Sequence, residues 1–260
     1  MRKLLLAAIA ALVVAGTAGA ITHGTPDGNG HPYVGNIVFY SAPGVPSHRC
    51  SGTLISPTVV LTAGHCTDGM ALAQVWFTPT MPAGQYPFAG GTLGTPHTHP
   101  DFNNLADVPN TGDMGVVVLA TPVQMTTYGA LPTLNFLDRF ETKRGLQDTS
   151  ITIVGYGLQA VVPKPMGVTQ RFVGVQQIEN LRSNLITGYG LQTSNAPGNG
   201  TGGSGTCSGD SGGPMLYSDT NVVVSVNSFG LNANCVGNDF SFRADTATAR
   251  AFLDDFVQVP

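Results

Sequence analysis

The chain has 260 residues and a formal net charge of −4, with only 10% charged residues against 34 glycines and 18 prolines. A mildly acidic chain without a basic block is a poor match for nucleic acid or an anionic membrane surface. The Gly and Pro content argues against long helices and for many short strands joined by tight turns.

Met1-Arg2-Lys3 is a basic start, Leu4 to Val14 an apolar run, and Ala18-Gly19-Ala20 a small-residue cleavage site. This is the pattern of a secretory signal over residues 1–20. The run is shorter than the roughly 20 residues that a membrane span needs, which makes an N-terminal anchor the weaker reading. The expected location is outside the cytoplasm, extracellular or periplasmic, with no membrane attachment after cleavage. The remaining 240 of the 260 residues suffice for one large unit or two small ones.

Strand signals follow in chain order. Tyr33 to Tyr40, Val59 to Thr62, Gly115 to Leu119, Ser150 to Val154 and Asn221 to Val226 are β-branched and aromatic. Turn-rich stretches run from Thr78 to Pro100 and from Asn195 to Gly205. One helix is expected over Ala247 to Val257, capped by Asp245-Thr246 and carrying Ala251, Phe252 and Phe256 at helical spacing. A low-regularity segment from Gln124 to Thr149 divides the chain into units over 21–123 and 124–260. The expected fold is all-β: two antiparallel Greek-key β-barrels with a C-terminal α-helix.

The cysteines are Cys50, Cys66, Cys207 and Cys235, all in the exported part, where disulfides persist. Four cysteines allow three pairings. Cys50–Cys66 and Cys207–Cys235 are favoured, because each pair is close in sequence and brackets a chemically suggestive segment. A four-thiolate zinc site is disfavoured, since no two cysteines have the close spacing that such sites use. His97 and His99 form an H-x-H pair without a further placed ligand, so no metal and no cofactor is expected.

Cys207-Ser208-Gly209-Asp210-Ser211-Gly212-Gly213-Pro214 sets one serine among glycines. Serine is a poor nucleophile until a base takes its proton and donors hold the resulting oxyanion. The base candidate is His65, in Leu61-Thr62-Ala63-Gly64-His65-Cys66, after a strand and beside a cysteine. The acid candidate is Asp113, which opens the apolar run Met114 to Leu119. A buried carboxylate needs a partner, and an imidazole N–H serves. Asp107 precedes Val-Pro-Asn rather than a strand and is the weaker choice. Gly209 to Gly213 also fits the G-x-S-x-G elbow of α/β-hydrolases, but that fold needs a histidine after the serine. The last histidine here is His99. A subtilisin order would need an acid before His65, and only Asp27 is available.

The order His65, Asp113, Ser211 and the motifs around His65 and Ser211 resemble the trypsin/chymotrypsin serine proteases. The resemblance runs from Ile21 to the C-terminal helix. Weaker matches are His99-Pro100-Asp101-Phe102, Gly155-Tyr156-Gly157 and Ser228-Phe229-Gly230. An exported bacterial member is the expectation.

The resemblance implies a secreted serine endopeptidase. Ser211 would attack the scissile carbonyl, His65 would carry the proton, and Asp113 would orient His65. The Gly209 and Ser211 N–H groups would form the oxyanion hole, and Ser228, Phe229 and Gly230 would pair with substrate backbone. A new N-terminus at Ile21 would insert beside Asp210 and activate the enzyme, with signal cleavage alone exposing it. Such a pair should raise the amine above its usual ~8, so that activity fades at alkaline pH.

Gly205 falls where the floor of the specificity pocket lies, which implies an apolar or aromatic preference. Asp239, if it faces the pocket, would admit basic residues. By the same resemblance His99 belongs to a surface turn, and no calcium loop is recognisable. The implied partners are polypeptide substrates and protein protease inhibitors. The alternatives are an inactive protease-like binding protein, or an esterase using the same triad.

Overall fold

In a computed structural model of the chain, the described residues are 21–81, 86, 88–141, 149–167, 170–196 and 203–260. The signal expected over residues 1–20 lies outside them.

A two-residue strand, β1 (Thr25–Pro26), comes first. Six strands then close into a barrel: β2 (Val34–Ala42), β3 (Val45–Ser56), β4 (Val59–Thr62), β5 (Leu72–Trp76), β6 (Thr92–Thr98) and β7 (Gly115–Leu119). Their order around the barrel is β2-β3-β4-β7-β6-β5. Closure leaves no exposed sheet edge, and it places Val34, Ile37, Leu54, Val60, Leu61, Val75 and Val117 in one core. Each such buried side chain is worth about 1.5–3 kcal/mol relative to exposure.

A second barrel follows. It uses β8 (Ser150–Gly155), β11 (Phe172–Asn180), β12 (Gly190–Asn195), β13 (Pro214–Tyr217), β14 (Val223–Gly230) and β15 (Gly237–Arg243). Between β8 and β11 lies a small ribbon of β9 (Leu158–Ala160) and β10 (Met166–Gly167). The barrel closes because β11 pairs with β8 as well as β12, and β1 adds to the outside of β11. The fold is therefore the expected pair of antiparallel barrels, each closed by six strands.

The chain ends in α2 (Ala247–Asp254), whose N-cap Thr246 accepts from the Ala249 N–H at 3.2 Å. It stops three residues short of the expected Val257. The turn-rich reading of Thr78 to Pro100 conceals β6. Gly94, Pro96 and His97 hide that strand, yet Pro96 fits: β5 pairs only as far as Gly94, and Pro96 lies opposite Val117 of β7. Its missing N–H thus falls where the β5 ladder has ended.

The barrels are stitched together by buried polar groups. Arg171, the residue just ahead of β11, is fully buried. It pairs with Asp27 at 2.7 Å and donates to the carbonyls of Val34 and Phe77 on the first barrel. Burial opposes the Asp27 charge, but bonds from His31 and Arg171 prevail and hold its carboxyl down at about 2. Asp27 is therefore engaged away from His65. His99 is a correction: its turn exists, with the Phe102 N–H bonded to the His99 carbonyl, but its ring is buried against Phe242 and Phe252. An imidazole whose Nδ1 accepts from the Asp101 N–H and whose Nε2 meets the Thr248 carbonyl pins the terminal helix to the first barrel.

Candidate active site

β4 ends at Thr62, and one turn of helix, α1 (Gly64–Thr67), carries His65. The Cys50–Cys66 disulfide ties this turn to β3. β4 pairs with β7 so that Thr62 faces Gly115, which brings Asp113, just ahead of β7, beside α1. Asp113 is fully buried. It accepts from the His65 backbone N–H at 2.7 Å, and its two oxygens lie 2.9 and 3.1 Å from His65 Nδ1. The Ser228 hydroxyl donates to the same carboxylate. Burial works against both charges, yet these bonds outweigh it: Asp113 is held below its ordinary value and His65 above. Asp107, by contrast, is exposed.

Ser211 sits on a loop closed by the Cys207–Cys235 disulfide. Its carbonyl accepts from the Ser51 N–H at 2.8 Å. Gly212 explains the glycine that follows. Its φ is +77°, and a Cβ there would lie 2.0 Å from Thr62 Oγ1 and 2.8 Å from the Ala63 nitrogen. The serine loop is thus pressed against the strand end that leads into His65. The Ser51 hydroxyl fixes the same loop, donating to the Gly209 carbonyl at 2.9 Å and accepting from the Tyr156 N–H at 3.0 Å. Among the described residues, the Gly209 and Ser211 N–H groups meet no protein acceptor. Two unspent donors flanking a serine are what an oxyanion site requires.

Asp210 is wholly buried behind this loop and accepts from the Gly157 N–H at 2.8 Å and the Cys207 N–H at 3.0 Å. Burial, and to a lesser degree the charge of Asp239, push its carboxyl up to about 7, against these bonds and a weaker one from the Ile21 N–H. Ile21 is itself buried, and Thr22 forms a two-way backbone bridge with Gly205 at 2.8 and 3.0 Å.

A cavity of about 410 Å³ opens beside Ser211, with Ser208, Ser228, Phe229, Gly230 and Asp239 among its walls. Gly230 leaves its wall open, since a Cβ there would meet nothing closer than the Asn238 carbonyl at 3.8 Å. Gly205 lies behind the cavity rather than lining it, and the Asn195 side chain covers it. Asp239 does line it. This buried carboxylate accepts from the Thr206 N–H at 2.7 Å, from Asn195 Nδ2 at 2.9 Å and from Gln176 Nε2. Burial raises its pKa, against those donors.

Three contributors escaped the sequence reading. Ser51, beside Cys50, carried only the signal of its neighbour. Asn195 was read as loop, and Gln176 gave no signal at all. Ser228 was legible as part of a substrate strand but not as a donor to Asp113.

Paired barrels with an imidazole–carboxylate couple beside a glycine-flanked serine define a chymotrypsin-like hydrolase architecture. The trypsin family model matches residues 21–253, and the chain belongs to that family. Brachyurin of Leptuca pugilator is 31% identical over 211 residues, covering 80% of this chain and 86% of that protein. Serine protease 1 of Drosophila melanogaster is 29% identical, covering 84% and 78%. A trypsin of Saccharopolyspora erythraea is 28% identical, covering 70% and 75%. The solved structure of HL collagenase superposes with a TM-score of 0.69 at 20% identity, covering 90% of this chain and 97% of that one, a likeness of fold. The expected bacterial origin finds no support, because the matched relatives are mainly arthropod proteins.

Proposed function

We propose that the processed chain is a secreted, extracellular serine endopeptidase. In the acylation step the Ser211 hydroxyl oxygen bonds to the scissile carbonyl carbon while its proton passes to His65 Nε2. The negative charge on the carbonyl oxygen is taken up by the Gly209 and Ser211 N–H groups, each such donor being worth about 2.7–4 kcal/mol in the transition state. His65 then returns the proton to the leaving amine as the C–N bond breaks. Water repeats the sequence to free the acid and Ser211. Asp113 holds the His65 tautomer with Nε2 free and stabilises the imidazolium. The observation that carries this reading is the Asp113 carboxylate accepting from two His65 nitrogens, Nδ1 and backbone, at 2.7–3.1 Å, which leaves Nε2 free.

The cavity beside Ser211 would receive the side chain preceding the scissile bond. Its open Gly230 wall favours apolar and aromatic groups, and Asp239 admits basic ones. Ser228 to Gly230 would pair with the substrate backbone as an added strand. Activation would follow from signal cleavage, when the new Ile21 ammonium meets Asp210.

Hydrolysis of a mixed peptide library by the secreted protein tests the reading. Cleavage is expected and should be abolished in Ser211→Ala and in His65→Ala. Cleavage of esters but no peptide bonds would favour an esterase, and neither activity in correctly processed protein would favour a binding role.

A further inference from the structure

We propose that Asn195 is a specificity-determining residue of the cavity beside Ser211, a positioning residue that acts through Asp239. This rests on reading that cavity as the primary pocket of a protease. Asn195 ends β12 and is 1% exposed, so its amide is a buried polar group that must be satisfied. Its Nδ2 donates to Asp239 Oδ1 at 2.9 Å and to the Thr206 carbonyl at 3.3 Å. The Thr22 hydroxyl lies 3.5 Å from its Oδ1.

The same side chain explains Gly205. A Cβ at Gly205 would lie 1.6 Å from Asn195 Oδ1 and 1.9 Å from its Cγ. No side chain can occupy position 205 while Asn195 is in place. Among the described residues lining the cavity, Asp239 is the one carboxylate. The acid of this pocket therefore projects from β15, and Asn195 both excludes an alternative at 205 and holds the one present.

The hydrogen-bond capacity of Asp239 sets what it can do for a ligand. A carboxylate offers about four lone-pair positions. Thr206 N and Gln176 Nε2 both donate to Oδ2, and Asn195 Nδ2 donates to Oδ1. The Thr206 hydroxyl, which donates to Asn227 Oδ1 at 3.0 Å, also bears on this carboxylate, so at most one position on Oδ1 is left. An incoming cation can take a single bond there but not the two-pronged grip that gives a guanidinium or amidinium its strongest hold on a carboxylate. Asn195 thus keeps Asp239 from dominating the pocket, which leaves apolar ligands competitive with basic ones. Removing Asn195 frees a second position on Oδ1 and deepens the pocket's preference for cations.

The test compares benzamidine, a planar aromatic cation, with benzamide, its neutral counterpart, binding to processed protein in a Ser211→Ala background. In Asn195→Ala the preference for benzamidine over benzamide, read as the ratio of Kd values, should rise about ten-fold, equivalent to about 1.4 kcal/mol. Gly205→Ala, which forces Asn195 aside, should move the ratio the same way. Asn195→Ser replaces Asn195→Ala should the latter not be secreted. A merely structural role would weaken both ligands alike. A ratio that stays within about two-fold of the parent in the Asn195 variant overturns the inference. Because binding is read without Ser211, the two readings fail separately: an inactive protein with a shifted ratio sinks the protease reading alone, and an active one with an unmoved ratio sinks the role of Asn195 alone.

Discussion

The sharpest consequence of the buried Asp210 is that uncleaved and processed chains should answer differently to pH. In the uncleaved chain Ile21 has an amide N–H, and Asp210 has no cation partner among the described residues. Its folded pKa is about 7 against an ordinary 3.8, because burial penalises the charge. A carboxyl whose folded pKa is raised contributes stability that is complete below 3.8 and lost as pH rises through about 7. At about 1.36 kcal/mol per pH unit across that interval, the uncleaved chain forfeits about 4 kcal/mol by pH 8. For a chain of this size that corresponds to a fall in Tm of about 8–16 °C. Cleavage ahead of Ile21 would replace the amide by an ammonium with an unfolded pKa near ~8. Pairing with Asp210 would raise that pKa, so its stabilisation should be complete below ~8 and fade only as pH rises through the higher folded value.

The assay is Tm against pH from 4 to 10 for processed protein and for a variant whose cleavage site is blocked so that residues remain ahead of Ile21. The blocked form should lose stability between about pH 4 and pH 8, and Asp210→Asn in it should flatten that slope. The processed form should lose distinctly less than the blocked form up to pH 8, its remaining slope being that of Asp239, whose pKa burial raises in both forms. Parallel curves for the two forms, or an unchanged slope in the blocked Asp210→Asn variant, would refute the reasoning.

Other outcomes follow from the site. Asp113→Asn should lower kcat about 10⁴-fold through loss of the correct His65 tautomer, measured as the rate of acyl-enzyme formation. Because burial lowers the His65 pKa but the bond and charge of Asp113 outweigh it and raise it above its ordinary 6.5, the acid limb of kcat/KM should have its midpoint above 6.5. In Asp113→Asn that midpoint should shift down, and a stationary limb would count against the couple. Gly212→Ala should abolish activity and lower Tm, since its Cβ would fall 2.0 Å from Thr62 Oγ1. Cys50→Ser with Cys66→Ser opens a closure of sequence separation 16 and should cost about 3 kcal/mol, read in a denaturant titration.

How much of this was legible in the sequence depends on whether the signal was local. Val59 to Thr62 and Gly115 to Leu119 are continuous apolar runs, and both strands have the expected bounds. β6 was concealed because Pro96 and Gly94 read as turn, while only their position at the end of the β5 ladder makes them tolerable. The terminal helix announced its own cap, but its last turn depends on packing and ends early. The order of His65, Asp113 and Ser211 was readable because each sits in a distinctive local setting. The Asn195–Asp239–Gln176 cluster was not, since these polar residues come from three strands and acquire meaning only when β11, β12 and β15 are adjacent. The burial of His99 was hidden for the same reason: Phe252 and Thr248, which enclose it, lie about 150 residues away on α2.

The central claim is that Ser211 is a nucleophile activated by His65. Reaction of the processed, secreted protein with a fluorophosphonate, followed by peptide mass spectrometry, tests it most directly. The account predicts one adduct, on Ser211 within Cys207 to Pro214, that disappears in His65→Ala. Folded, correctly processed protein that carries no adduct, or carries it on another serine, would contradict it.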